Sequence, residues 1–116
     1  RMVNGQSELA AVGLKEFLAT RPAPEYAAPA NGLLGAALEN ARKFDDAGDA
    51  FIAASKTADL AYLKARYLLD AARCYREAGK TQEAITAYRE IIQKFDKTAS
   101  LTEAQVRLAE LTDGKM

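Results

Sequence analysis

The sequence predicts an all-α fold of about six helices, and three observations carry that prediction. Alanine, the strongest helix former, occurs 25 times, whereas proline, the strongest helix breaker, occurs three times. Apolar residues recur at spacings of three and four along most of the chain. No segment alternates apolar and polar residues with β-branched enrichment, so no strand competes.

The first helix covers Ser7 to Leu18, with Leu9, Ala10, Leu14, Phe17 and Leu18 on its apolar side, and Arg21-Pro22-Ala23-Pro24 stops it. The three prolines between 22 and 29 read as a turn. From Pro29 a second helix places Leu33, Leu34, Ala37, Leu38 and Ala41 on one face and ends at Arg42-Lys43, whose charges suit a helix C-terminus. The third runs from about Asp45 to Ser55. Its carboxylates Asp45 and Asp46 sit at the positive end of the helix dipole, and Ala47, Ala50, Phe51 and Ala54 form its buried stripe. After a break at Thr57 to Asp59, the longest periodic run covers Leu60 to Ala78 and closes at Gly79, which tolerates the left-handed conformation of a helix end. Thr81 caps a fifth helix over Gln82 to Phe95. Ser100-Leu101-Thr102-Glu103 reads as a capping box opening a sixth, which passes Leu111 and ends near Gly114.

Composition excludes several functions. Lys+Arg and Asp+Glu each number 16, so the formal net charge is zero, and the pI is about 6.5. A nucleic-acid partner is therefore not expected, because phosphate binding relies on clustered cations. The chain has no His, which removes the commonest general base and the commonest metal ligand together. No apolar run reaches the length of a membrane span, so this chain does not itself insert in a bilayer. Nothing has Ca²⁺-loop, P-loop or zinc spacing, and no cofactor is implied.

An internal repeat organises the chain. Shifting Lys80-Thr81-Gln82-Glu83-Ala84 by 37 residues onto Lys43-Phe44-Asp45-Asp46-Ala47 also sets Ala71-Ala72 on Leu34-Gly35, Tyr75 on Leu38, Tyr88 on Phe51 and Ile91 on Ala54. The same shift puts Gly5 and Ser7 on Arg42 and Phe44, and Leu108-Ala109 on Ala71-Ala72. Small residues at Gly35, Ala47, Ala72 and Ala84 let paired helices approach, and Leu38, Phe51, Tyr75 and Tyr88 fill the space between units.

This pattern resembles the tetratricopeptide repeat, a helix-turn-helix unit with small residues in both helices, an aromatic after each and Gly at the turn. The second full copy, 65–98, shows Ala72, Tyr75, Gly79, Ala84 and Tyr88 in the signature places; the first, 28–61, shows Gly35, Leu38, Ala47 and Phe51 but has Arg42 in place of the turn glycine. Residues 5–24 read as helix B of an earlier copy, and 100–114 as helix A of a later one. One TPR-like domain over 1–116 follows, an antiparallel helix-pair solenoid expected to be a fragment of a right-handed superhelix. Residues 1–4 then read as the end of a preceding helix A, and the chain as a section of a longer solenoid. The stretches Tyr88 to Phe95 and Glu103 to Ala109 are similar to bacterial envelope repeat proteins of the YfgM-like, BamD-like and CpoB-like kinds. That resemblance implies a periplasmic location, anchored through a segment outside this chain, with a cytoplasmic location as the alternative.

The resemblance also implies that helix A residues line a binding groove for a partner protein or peptide. In this chain these are Arg66, Leu69, Asp70, Arg73, Arg76 and Glu77, flanked by Leu33, Ala36, Glu39 and Asn40 on one side and Glu103, Val106, Arg107 and Glu110 on the other. Arg66, Arg73 and Arg107 offer hydrogen bonds to a carboxylate or peptide backbone, unless they pair with Asp70, Glu77 and Glu103 on a solvated face. The carboxylate clamp of chaperone-binding members needs Lys and Asn where this chain has Gly32 and Ala36. Cys74, the sole thiol, has cationic neighbours in Arg73 and Arg76 but lies among packing residues and reads as structural. Asp45, Asp46 and Asp49 read as helix-start charge rather than a metal or acid/base site. No catalytic residue is expected. The alternative function is homo-oligomerisation, in which the outer faces of the first helix B and the last helix A pair between copies, with Leu9, Phe17 and Leu18 contributing where no upstream helix covers them; an RNA-reading helical repeat ranks third.

Overall fold

Six α-helices follow one another in the computed structural model, which describes residues 2–113: α1 (Met2–Ala19), α2 (Pro24–Asn40), α3 (Phe44–Thr57), α4 (Ala61–Glu77), α5 (Thr81–Lys94) and α6 (Leu101–Thr112). No strand occurs among the described residues. Each helix packs chiefly on its chain neighbours, and the product is a slab of 41 × 32 × 18 Å. This is an all-α, tetratricopeptide-like helical fold.

Three local expectations are corrected. Residues 24–29 are helix, not turn: Pro24 occupies the first turn, where its missing N–H is no loss, and Pro29 is carried inside α2 at the expense of one hydrogen bond. The turn is confined to residues 20–23. Gly5 lies inside α1 rather than at a turn, because α1 begins at Met2 and runs through it without a break. The two proposed side-chain caps do not form. Thr81 is the first residue of α5 with Lys80 before it, and Ser100 takes a right-handed helical conformation at φ −78°, ψ −12°, with no side-chain hydrogen bond to the α6 N-terminus. The end expected near Gly114 lies outside the described residues.

The repeat is visible in the backbone. At the α4–α5 turn the amides of Ala78, Gly79 and Lys80 donate to the carbonyls of Cys74, Arg76 and Tyr75; at the α2–α3 turn Ala41, Arg42 and Lys43 donate to Ala37, Glu39 and Leu38. Gly79 holds φ 78°, and Arg42 adopts the same left-handed region at φ 64°. The turn geometry therefore survives without glycine, at a steric cost on the order of 1–2 kcal/mol. An ion pair repeats as well, Lys80–Asp45 at 3.0 Å and, 37 residues earlier, Lys43–Glu8 at 3.9 Å.

Fourteen of the 24 buried apolar residues among those described are alanine, so the core consists of closely approaching helices rather than large interlocking side chains. Where a large ring does enter, it lies on a glycine. A Cβ on Gly35 would stand 2.9 Å from the Phe51 ring, one on Gly32 2.7 Å from the Tyr67 ring, and one on Gly48 2.6 Å from the Tyr75 ring. Phe51 and Tyr67 also stack on each other, with centroids 6.4 Å apart. These contacts tie α3 to α2, α4 to α2 and α4 to α3.

Candidate functional site

Helices α2, α4 and α6 share one layer. Arg73 of α4 reaches across to Glu39 of α2, donating from Nε at 3.0 Å and Nη2 at 2.8 Å, and also holds Asp70 at 2.8 Å. On its other side α4 meets α6 across a cleft of about 310 Å³, lined by Arg66, Leu69, Asp70, Arg73, Ala99, Ser100 and Glu103. Leu69 is half-buried, packs on the core and is the large apolar side chain among those lining the cleft.

The arginines expected to meet a partner have different fates. Arg73 is engaged twice by its own chain, and the hydrogen bond it donates to Glu39, with a smaller contribution from Asp70, raises its pKa further. Arg107 is held by Glu110 at 3.2 Å and lies 3.8 Å from Glu103, and its pKa is raised chiefly by Glu110. Arg66 makes no ion pair and no side-chain hydrogen bond among the described residues although it lines the same cleft. Arg76 and Glu77 are exposed in the last turn of α4, and Asn40 is exposed at the end of α2. Leu33 and Val106 are exposed by 61% and 49%, large values for such side chains.

Sequence reasoning missed two participants. Tyr62, 60% exposed, precedes Arg66 by four residues and so continues the Arg66–Leu69–Arg73 stripe one turn towards the start of α4. That i, i+4 spacing was the available signal. Glu39 was placed on the face but not recognised as the partner of Arg73. Its cue is that Arg73 falls on Ala36 in the repeat register, one helical turn before Glu39.

The remaining reactive groups serve packing. Cys74 is fully buried, and desolvation pushes its thiol pKa up to about 12, so essentially no thiolate exists near neutral pH. Tyr75 donates to Asp49 Oδ1 at 2.7 Å, and burial followed by that hydrogen bond raises its pKa. Asp45 pairs with Lys80. Among the described residues no group of three or more His, Cys, Asp or Glu is placed to hold a metal ion, and no helix is long and apolar enough to cross a membrane.

Comparison with known proteins bears on this arrangement at one place. No curated protein and no solved structure gave a match to the chain. Residues 66–98 match the family model described as "Tetratricopeptide repeat", so α4 and α5, with the turn at Gly79 between them, form a tetratricopeptide-type unit within this TPR-like chain.

Proposed function

We propose that the chain is a non-catalytic protein-binding scaffold of the bacterial cell envelope, holding an extended or helical segment of a partner against the layer formed by α2, α4 and α6. Tetratricopeptide repeats generally mediate protein–protein interaction. The observation that carries the reading is the α4–α6 cleft, where Leu69 supplies apolar contact and Arg66 makes no ion pair with any described side chain. A segment presenting a small apolar side chain beside a carboxylate or a free backbone carbonyl suits that pair. Arg73 acts as scaffold for the groove, since its donors are committed to Glu39 and Asp70, and Arg107 pairs with Glu110 beside it. The envelope reading rests on the resemblance of Tyr88 to Phe95 and of Glu103 to Ala109 to envelope repeat proteins.

A photo-cross-linking residue at Leu69, compared with one at the exposed Arg89 of α5, tests the groove. Adducts with a discrete partner are expected from position 69, and Arg66→Glu in the same chain should abolish most of them. Identical adducts from both positions would refute the groove assignment. Cell fractionation of the natural protein tests compartment separately: recovery from the cytosol would replace the envelope reading by a cytoplasmic adaptor and leave the groove intact.

A further inference from the structure

The two helix pairs α2–α3 and α4–α5 differ where helix B ends, and we infer that the difference leaves a socket for one bulky apolar side chain of a partner protein, carried on a segment with Lys or Arg beside it. Helices α3 and α5 end at Thr57 and Lys94, one 37-residue period apart, and the next residue is Ala58 in the first unit and Phe95 in the second. Phe95 is half-buried and packs on the core. Ala58 offers only a methyl group at that register, and beside it lies a cavity of about 380 Å³. Ala28 and Pro29 of α2 and Leu63 and Tyr67 of α4 line it with Ala58. Its walls are internal to the fold, since α2 and α4 each have a helix packed on both chain-neighbouring sides. It shares no lining residue with the α4–α6 cleft, so the socket is a separate site.

The space stays open without an occupant because its walls are fixed from behind. Ser55 donates its hydroxyl to the Lys64 carbonyl at 2.8 Å, and Lys64 donates its ammonium to the Ser55 carbonyl at 3.2 Å, which ties the corner that carries Ala58. The Tyr67 ring stacks on Phe51 and lies against Gly32, where a Cβ would stand 2.7 Å away. A cavity near the lower end of the ligand-site range, which begins at about 300 Å³, takes one side chain rather than a second helix. An aromatic anchor would extend the Phe51–Tyr67 stack, and a preformed pocket spares it most of the cost of ordering.

Charge selects the occupant. Glu25 of α2 and Asp59 of the corner stand at the rim, both exposed, and neither forms an ion pair among the described residues. No cation lines the cavity. Lys56, next to Thr57, is exposed and outside it, and Lys64, next to Leu63, commits its ammonium to the carbonyls of Ser55 and Lys56. An acidic rim around an apolar socket suits a segment that sets Lys or Arg beside its anchor. A second copy of this chain is a poor occupant. Of its eight exposed large apolar residues, Leu9, Phe17, Tyr26 and Leu60 each directly follow a carboxylate, which the rim repels.

Titration of the isotope-labelled full chain, followed by amide chemical shifts, is the test. The probe is a capped heptapeptide with Lys-Phe-Lys at its centre and Gly and Ser on either side, compared with peptides carrying Ala for Phe or Glu for both Lys. Saturable shifts centred on residues 25–28 and 57–67 are expected, with the Ala peptide weaker by roughly tenfold or more. Ala58→Phe, which fills the socket as Phe95 fills its own register, should weaken the Lys-Phe-Lys peptide to the same extent without lowering the melting temperature. Should that variant not fold, Glu25→Lys/Asp59→Lys, confined to exposed side chains, carries the test: it should weaken the Lys-flanked peptide and strengthen the Glu-flanked one by roughly two- to fivefold each at low salt. Arg66→Glu should leave the affinity unchanged. Absence of saturable binding, equal binding of the Phe and Ala peptides, a folded Ala58→Phe chain with native affinity, or rim reversal with no exchange of preference would each overturn the socket. So would loss of binding in Arg66→Glu, which would seat the peptide in the α4–α6 cleft, or self-association in sedimentation velocity that Ala58→Phe removes, which would assign the cavity to a second copy.

Discussion

Gly48→Ala is the most informative single substitution, because elementary helix propensity and tertiary packing predict opposite signs for it. In an unconstrained helix interior the change stabilises by about 1 kcal/mol. Here a Cβ at position 48 would stand 2.6 Å from Cε1 and 2.8 Å from Cδ1 of Tyr75, against a carbon–carbon optimum of about 3.5–4.0 Å, so the ring must retreat by about 1 Å. It has little freedom to do so. Tyr75 is 7% exposed and its hydroxyl donates to Asp49 at 2.7 Å. Overpacking of about 1–3 kcal/mol, with about 1 kcal/mol for a strained hydrogen bond and about 1 kcal/mol returned by propensity, leaves a net loss of about 1–3 kcal/mol. Melting should fall by about 4 °C for each kcal/mol lost. The assay is denaturant and thermal unfolding followed by circular dichroism, with Gly13→Ala in dilute protein as the control, since nothing lies within 4 Å of that position and a gain of about 0.5–1 kcal/mol is expected. In a Tyr75→Leu background the Gly48→Ala penalty should vanish. A rise in stability for Gly48→Ala in the otherwise native chain would refute the packing account.

Other outcomes follow from the same contacts. Ala84 is fully buried where α5 meets its neighbours, so Ala84→Leu should cost about 1–3 kcal/mol by overpacking, measured as a lower unfolding midpoint. Gly79→Ala forces a side chain to φ 78° and should cost about 1–2 kcal/mol, whereas Arg42→Gly should gain up to about 1 kcal/mol after loss of the guanidinium contact to Phe44 at 5.5 Å; a pair of melting curves compares them. The Cys74 thiol moves from an ordinary value of 9.0 to about 12, and the Tyr75 pKa is also raised. Between pH 9 and 12 the unfolded chain releases a thiol proton that the folded chain keeps, so stability falls as pH rises through that window, and Cys74→Ala should flatten the slope of unfolding midpoint against pH. Alkylation of native Cys74 near neutral pH should be limited by unfolding.

The repeat was legible in the sequence because a helix pair can approach closely only where side chains are small, and that need recurs every 37 residues as Gly35, Ala72, Ala47 and Ala84. Prolines and caps were read less well. A proline mark at 22–29 fits a turn or a helix start equally, since the first helical turn has no use for the missing N–H, and the choice fell to packing of Ala28 and Ala30, buried at 7% and 6%. The Ser100 cap fails because the preceding turn, with Thr98 Oγ1 donating to the Phe95 carbonyl, delivers Ser100 in a helical conformation rather than the extended one a capping residue takes.

Gly48 shows the limit on the packing side. Its registers in the other units are Ala11 and Ile85, and the registers of Tyr75, the ring it meets, are Leu38 and Thr112. The two registers vary in opposite senses, the one holding glycine where the other holds tyrosine and isoleucine where the other holds threonine. Periodicity sees each column alone and takes Gly48 for a weak helix residue.

Helix number, helix order, repeat length and the small-residue columns were determined by the sequence itself, since they depend on spacing and residue size along one chain. That Arg73 reaches across to another helix, while Arg66 makes no ion pair among the described residues, was decided only by the tertiary structure. Arg66, Arg73 and Arg107 are alike in sequence, each with carboxylates three or four residues away. What separates Arg73 from Arg66 is Glu39, thirty-four residues from Arg73 in the chain and 2.8 Å from it in space, while Arg66 lines the cleft between α4 and α6. Electrostatic pairing falls off with distance through space, and that distance exists only once the helices have packed.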